Sequence, residues 1–110
     1  MKPDQRIQAF QAFVAKSPDD AFARYSLAMA LRSADRLEEA AREFEENVRR
    51  SPDYVPTYLM LGQVLESLGR VPAAAAVYEQ GVAAAARAGN GHAQAEIAGA
   101  LEALRARGTK

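Results

Sequence analysis

Five carboxylates, Glu38, Glu39, Glu43, Glu45 and Glu46, and a single histidine, His92, are the side chains best suited to chemistry. Grouped carboxylates can transfer protons or hold a divalent cation, and a histidine can serve as a base or a metal ligand. Here the carboxylates alternate with Arg42, Arg49 and Arg50, the pattern of a solvated helix face crossed by ion pairs. His92 has no second histidine, and no cysteine exists in the chain to complete a metal set. Gly89-Asn90-Gly91 lacks the preceding strand and the Lys-Ser/Thr ending of a phosphate loop, and reads as a helix stop. Ser26, Ser33 and Ser67 have no histidine base at a matching place. The sequence therefore predicts no catalytic residue, no metal site and no cofactor.

The elements that carry these residues are set by a repeat. Ser17-Pro18-Asp19 recurs 34 residues later as Ser51-Pro52-Asp53, and Leu27, Leu31, Ala40, Phe44 and Val48 map by the same offset onto Leu61, Leu65, Ala74, Tyr78 and Val82. A period of this length means stacked helical hairpins, none able to bury its apolar face alone. The half unit at 5–16, with Ile7, Phe10, Phe13 and Val14 at helical spacing, lacks a first helix; units follow at 21–54 and 55–88, and a capping helix at 92–107. Residues 1–4 and 108–110 are expected to fray. Asp35 aligns with Gly69, a turn position that needs a left-handed backbone, and Pro72 suits the first turn of its helix.

At 110 residues the chain is expected to form a single domain of about six helices. Fourteen acidic side chains balance fourteen basic ones, which leaves no net field for nucleic acid or an anionic membrane. No apolar stretch is long enough to span a bilayer and no targeting segment is visible, so a cytoplasmic protein is expected.

These residues resemble the tetratricopeptide repeat, which the second unit matches with Tyr58, Leu61, Gly62, Leu65, Ala74 and Tyr78. The resemblance implies an all-α fold, a right-handed α-solenoid of stacked antiparallel helix pairs. Arg24 departs from the pattern by replacing an aromatic residue, Asn47 and Gly81 by standing at an Ala-like position, and Ala86 by standing where a proline should close the unit, so that the helix ending near Arg87 should run long.

In the family, the first helices turn a concave surface toward a ligand. Carried over by position, that surface takes Phe22, Tyr25, Met29 and Arg32 from the first unit and Leu59, Met60, Gln63 and Glu66 from the second. The final helix adds Glu96 and Glu102. Phe22, Tyr25, Met29, Leu59 and Met60 are expected to be left over after the solenoid has packed, enough apolar surface to anchor another protein. The lysines and asparagines with which some members hold a terminal carboxylate are absent. The three glutamates instead favour a peptide or amphipathic helix with basic residues. Two other occupants remain open: a second copy of the chain, giving a homodimer through the groove or an open end, and the final helix folding across the groove.

Overall fold

Two turn chemistries set the helix boundaries in the computed structural model, which describes residues 2–108. The chain forms α1 (Pro3–Lys16), α2 (Ala21–Ser33), α3 (Leu37–Arg50), α4 (Pro56–Ser67), α5 (Val71–Arg87) and α6 (Gly91–Gly108). After α1 and α3, Pro18 and Pro52 bar continuation of the helix. The chain turns there on hydrogen bonds from the Asp20 and Tyr54 amides to the carbonyls of Ser17 and Ser51, both 3.0 Å. After α2, α4 and α5 the backbone goes left-handed at Asp35 (φ 60°), Gly69 (φ 75°) and Gly89 (φ 68°). The next amide in each case, Arg36, Arg70 or Asn90, reaches back 2.9 Å to Leu31, Leu65 or Ala85 and closes the last turn.

The junction from α5 to α6 thus uses the tight turn found inside a hairpin. Ala85-Ala86-Arg87 replaces Ser-Pro-Asp, so nothing stops α5, which runs to 17 residues against 14 in α3. Asn90 serves both sides of the break. Its amide closes α5, and its side-chain oxygen accepts the Ala93 amide at 3.0 Å at the start of α6. The expected fraying is corrected at both ends: Pro3 sits in the first turn of α1, where it lacks no needed N–H, with Asp4 beside it, and Gly108 belongs to α6. Met1, Thr109 and Lys110 lie outside the described residues.

Each helix packs on the next, and α4 also meets α6, giving a right-handed solenoid 41 × 31 × 20 Å across. Leu27, Leu31, Phe44, Leu61, Leu65, Tyr78 and Ile97 are buried along its length, each worth about 1.5–3 kcal/mol. Gly62 is required by a ring: a β-carbon there would lie 2.0 Å from Tyr78 Cε1. Gly81 makes room for Tyr58, whose Cβ would stand 2.5 Å from an added methyl. Asn47 is buried and donates 3.1 Å bonds to the Ala21 carbonyl and to Thr57 Oγ1, tying α2, α3 and α4 together. Arg24, in its aromatic's place, is buried and donates to Glu43 at 2.7 Å and to the Pro18 carbonyl at 3.2 Å. No helix among the described residues is long and apolar enough to cross a membrane.

Candidate functional site

Two cavities lie along the first helices. One, of about 310 Å³, is walled by Arg6 and Phe10 of α1 and by Phe22, Tyr25, Ser26, Met29, Ala30 and Ser33 of α2. The other, of about 280 Å³, is walled by Val55, Pro56, Leu59 and Met60 around α4, by Asn90 just before α6 and by Ala93, Glu96 and Ile97 of α6, with Tyr25 also lining it. Tyr25 is common to both. Its ring meets Phe44 edge-on at 5.9 Å and Tyr54 at 5.8 Å, which fixes it as the partition. Burial raises its pKa, the neighbouring Tyr54 adds to the rise, and Arg32 opposes it; the phenol stays neutral and can donate a hydrogen bond.

The structure corrects the expectation of a large apolar surplus. Tyr25, Met29, Leu59 and Met60 are half-buried and packed against the core, because each leans on the neighbouring helix; only Phe22, at 66 %, is largely exposed. The groove is therefore lined by apolar side chains and not studded with them. Nor does α6 lie across it: the first turns of α6 form one wall of the second cavity.

The charges are arranged differently from the sequence expectation. Glu66 accepts a hydrogen bond from the Tyr78 hydroxyl and forms an ion pair with Arg107, so its charge is already matched from α6. Burial pushes the Tyr78 hydroxyl far above the usual tyrosine range, and the bond to Glu66 adds to it. Glu102 is exposed and lines neither cavity. Glu96 alone of the three glutamates faces one. Arg32 crosses from α2 to α4, donating to Met60 Sδ at 3.1 Å and to Gln63 Oε1 at 3.2 Å.

Arg6, Phe10, Val55, Asn90, Ala93 and Ile97 line the cavities without having been singled out from sequence. Phe10 is the instructive one. It stands 34 residues before Phe44 and 68 before Tyr78, which are fully buried, yet it is only half-buried, on a helix that packs chiefly on α2. The 34-residue spacing to Phe44 is the signal that could have found it.

Four of the five carboxylates singled out on α3 are engaged elsewhere. Glu43 holds Arg24, Glu39 holds Arg36, Glu46 holds Arg49 and Arg50, and Glu38 holds Arg70. Among the described residues no group of three or more His, Cys, Asp or Glu side chains could hold a metal ion.

No family model and no curated protein matches the chain. Solved structures do. The chain is 36 % identical to a tetratricopeptide repeat domain protein from Salinibacter ruber, with 80 % of this chain and 89 % of that one covered at a TM-score of 0.76. PcrH, solved in complex with the chaperone binding region of PopD, superposes at 0.87 over 96 % of this chain and 80 % of its own, at 21 % identity. The TPR2B domain of yeast Sti1, solved with pHsp70, superposes at 0.84 over 92 % and 81 %, at 18 % identity. The latter two speak for the fold alone. The Salinibacter likeness covers most of both chains, and with the 34-residue period and the hairpin stack it establishes that this chain belongs to the tetratricopeptide repeat family.

Proposed function

We propose that the protein is an interaction adaptor that holds a segment of another protein in the concave groove and performs no chemistry of its own. The observation that carries this reading is the pair of apolar cavities meeting at Tyr25, with Phe22 exposed at one rim. Each cavity has room for one large apolar side chain, and burial of such anchors is the main source of affinity in small recognition grooves. Partner binding by structural neighbours agrees with it: PcrH is solved with a region of PopD and Sti1 TPR2B with pHsp70. Phe22, Tyr25, Met29, Leu59 and Met60 supply the apolar contacts in this reading. Glu96 is the carboxylate left to meet a basic residue beside the second cavity. Glu66 and Glu102 contribute less, the first because Arg107 already pairs with it. The cytoplasm is the setting we assign.

A photocrosslinking amino acid placed at Met29 tests the reading against the same group placed at Arg42 on α3. In native extract, a protein crosslinked from Met29, absent from Arg42 and lost in Tyr25→Glu/Leu59→Glu supports the groove. Crosslinks of equal yield from both positions refute it. A second reading, self-association, is favoured by Phe13, 59 % exposed on α1 beside Ala9, Ala12 and Lys16. It predicts a molar mass that rises with concentration and falls in Phe13→Glu.

A further inference from the structure

Every described arginine except Arg6, Arg32 and Arg42 has a carboxylate within ion-pair distance. Arg42 is exposed on α3. Arg6 lines the first cavity, and Arg32 is the unusual one because it is half-buried. Arginine is almost never fully buried without a partner, and neutral acceptors return only part of the hydration energy lost on partial burial. Arg32 has only a thioether and an amide oxygen, one bond from each terminal nitrogen. A guanidinium carries five N–H donors, so capacity remains for a carboxylate.

Its place in the repeat sharpens the point. Arg32 and Glu66 stand 34 residues apart at the same position of successive units, one cationic and one acidic. Glu66 is held instead by Arg107 and Tyr78. Arg32 lines neither cavity but adjoins both: Met29 and Ser33 of its own helix line the first, and its sulfur partner Met60 lines the second. Arg6 adds a second positive charge on the wall of the first cavity.

We infer that Arg32 is the specificity-determining residue of the groove: it receives the side-chain carboxylate of an aspartate or glutamate in the bound peptide, with a large apolar residue on either side, one in each cavity. The inference rests on the groove reading above. A side chain is the source, and not a chain terminus, because the two helices that Arg32 bridges, α2 and α4, each line an apolar cavity. The ligand is a peptide and not a nucleic acid, because Glu96 faces the second cavity and the chain has no net charge.

The test is selection from a short random-peptide library joined to its carrier through the peptide C-terminus, so that every carboxylate is a side chain. The intact protein is expected to select an acidic residue flanked by Leu, Ile, Met or Phe, and to bind it about tenfold more tightly than the matching amide, with that margin shrinking in high salt. Arg32→Gln should keep the apolar flanks and lose the acidic preference; Arg32→Lys, which holds the charge, should keep a weakened one and guards against a folding defect in the first variant. Selection of apolar pairs with no acidic preference, or a preference untouched in Arg32→Gln, overturns the role of Arg32 and leaves the groove standing. No selection by the intact protein beyond that of Tyr25→Glu/Leu59→Glu overturns both.

Discussion

Replacing Gly62 with Ala is the most direct test of how the second unit is held together. An added β-carbon would lie 2.0 Å from Tyr78 Cε1, 2.5 Å from Cζ and 2.6 Å from Cδ1. The ring cannot retreat easily, because Tyr78 is fully buried and its hydroxyl is fixed to Glu66. Overpacking of this kind costs about 1–3 kcal/mol, and displacing the hydroxyl adds about 1 kcal/mol. The better helix propensity of Ala returns about 1 kcal/mol. The net loss is about 2 kcal/mol, which at a urea slope of about 1.5 kcal/mol/M lowers the midpoint of unfolding by about 1.3 M. Far-UV circular dichroism in a urea titration measures it. Gly99→Ala, in α6 with nothing within 4 Å of the new methyl, is the opposite-sign control and should gain about 0.5–1 kcal/mol. In a Tyr78→Leu background the smaller side chain leaves room, so Gly62→Ala should cost far less than in the intact protein. A loss under about 0.5 kcal/mol in Gly62→Ala, or strict additivity with Tyr78→Leu, would refute the claim that this ring is what demands the glycine.

Asn47→Ala should destabilise by about 2–3 kcal/mol, because it removes two hydrogen bonds and leaves the Thr57 hydroxyl and the Ala21 carbonyl short of a donor; Asn47→Ala/Thr57→Val should recover part of the loss in the same urea assay. Glu46 is held down to about 2 from 4.5 by hydrogen bonds from Arg49 and then Arg50. A depressed carboxylate stabilises the fold above its unfolded pKa and loses that contribution as pH falls through its folded one, so thermal midpoints should drop between those two values, and Glu46→Gln should flatten that part of the profile.

The repeat made most of the fold legible. Ser-Pro-Asp marked the turns after α1 and α3, the Asp35 and Gly69 pair marked two left-handed stops, and Ala86 marked the missing one that lets α5 run on. All are local backbone effects, which a few adjacent residues determine. The cavities were less legible because they depend on which side chains lean on a neighbour. Spacing places Tyr25, Met29, Leu59 and Met60 on one face, yet their surroundings come from elsewhere in the fold: Phe44 of α3 and Tyr54 of the turn before α4 pack on Tyr25, and Ile97 of α6 shares a cavity wall with Leu59 and Met60. Ion pairing was least legible of all. Nothing in a 34-residue period joins Arg107 to Glu66, because α6 reaches α4 through a junction that breaks that period.

The departures from the repeat have a common cause. Phe13, Asn47 and Gly81 occupy one position at successive 34-residue steps and share no chemistry. Gly81 is small because Tyr58 presses on it. Asn47 is polar because the Ala21 carbonyl and the Thr57 hydroxyl face it, and Phe13 is largely exposed on α1. At interior positions each residue answers a neighbour within the chain. Arg24 follows the same rule, replacing an aromatic and finding Glu43. Arg32, half-buried, has no acidic partner among the described residues, whereas Glu66 at the same repeat position does find its cation. A side chain whose neighbours leave its charge unmatched, in a protein that matches so many others, is where recognition of something outside the chain should be sought.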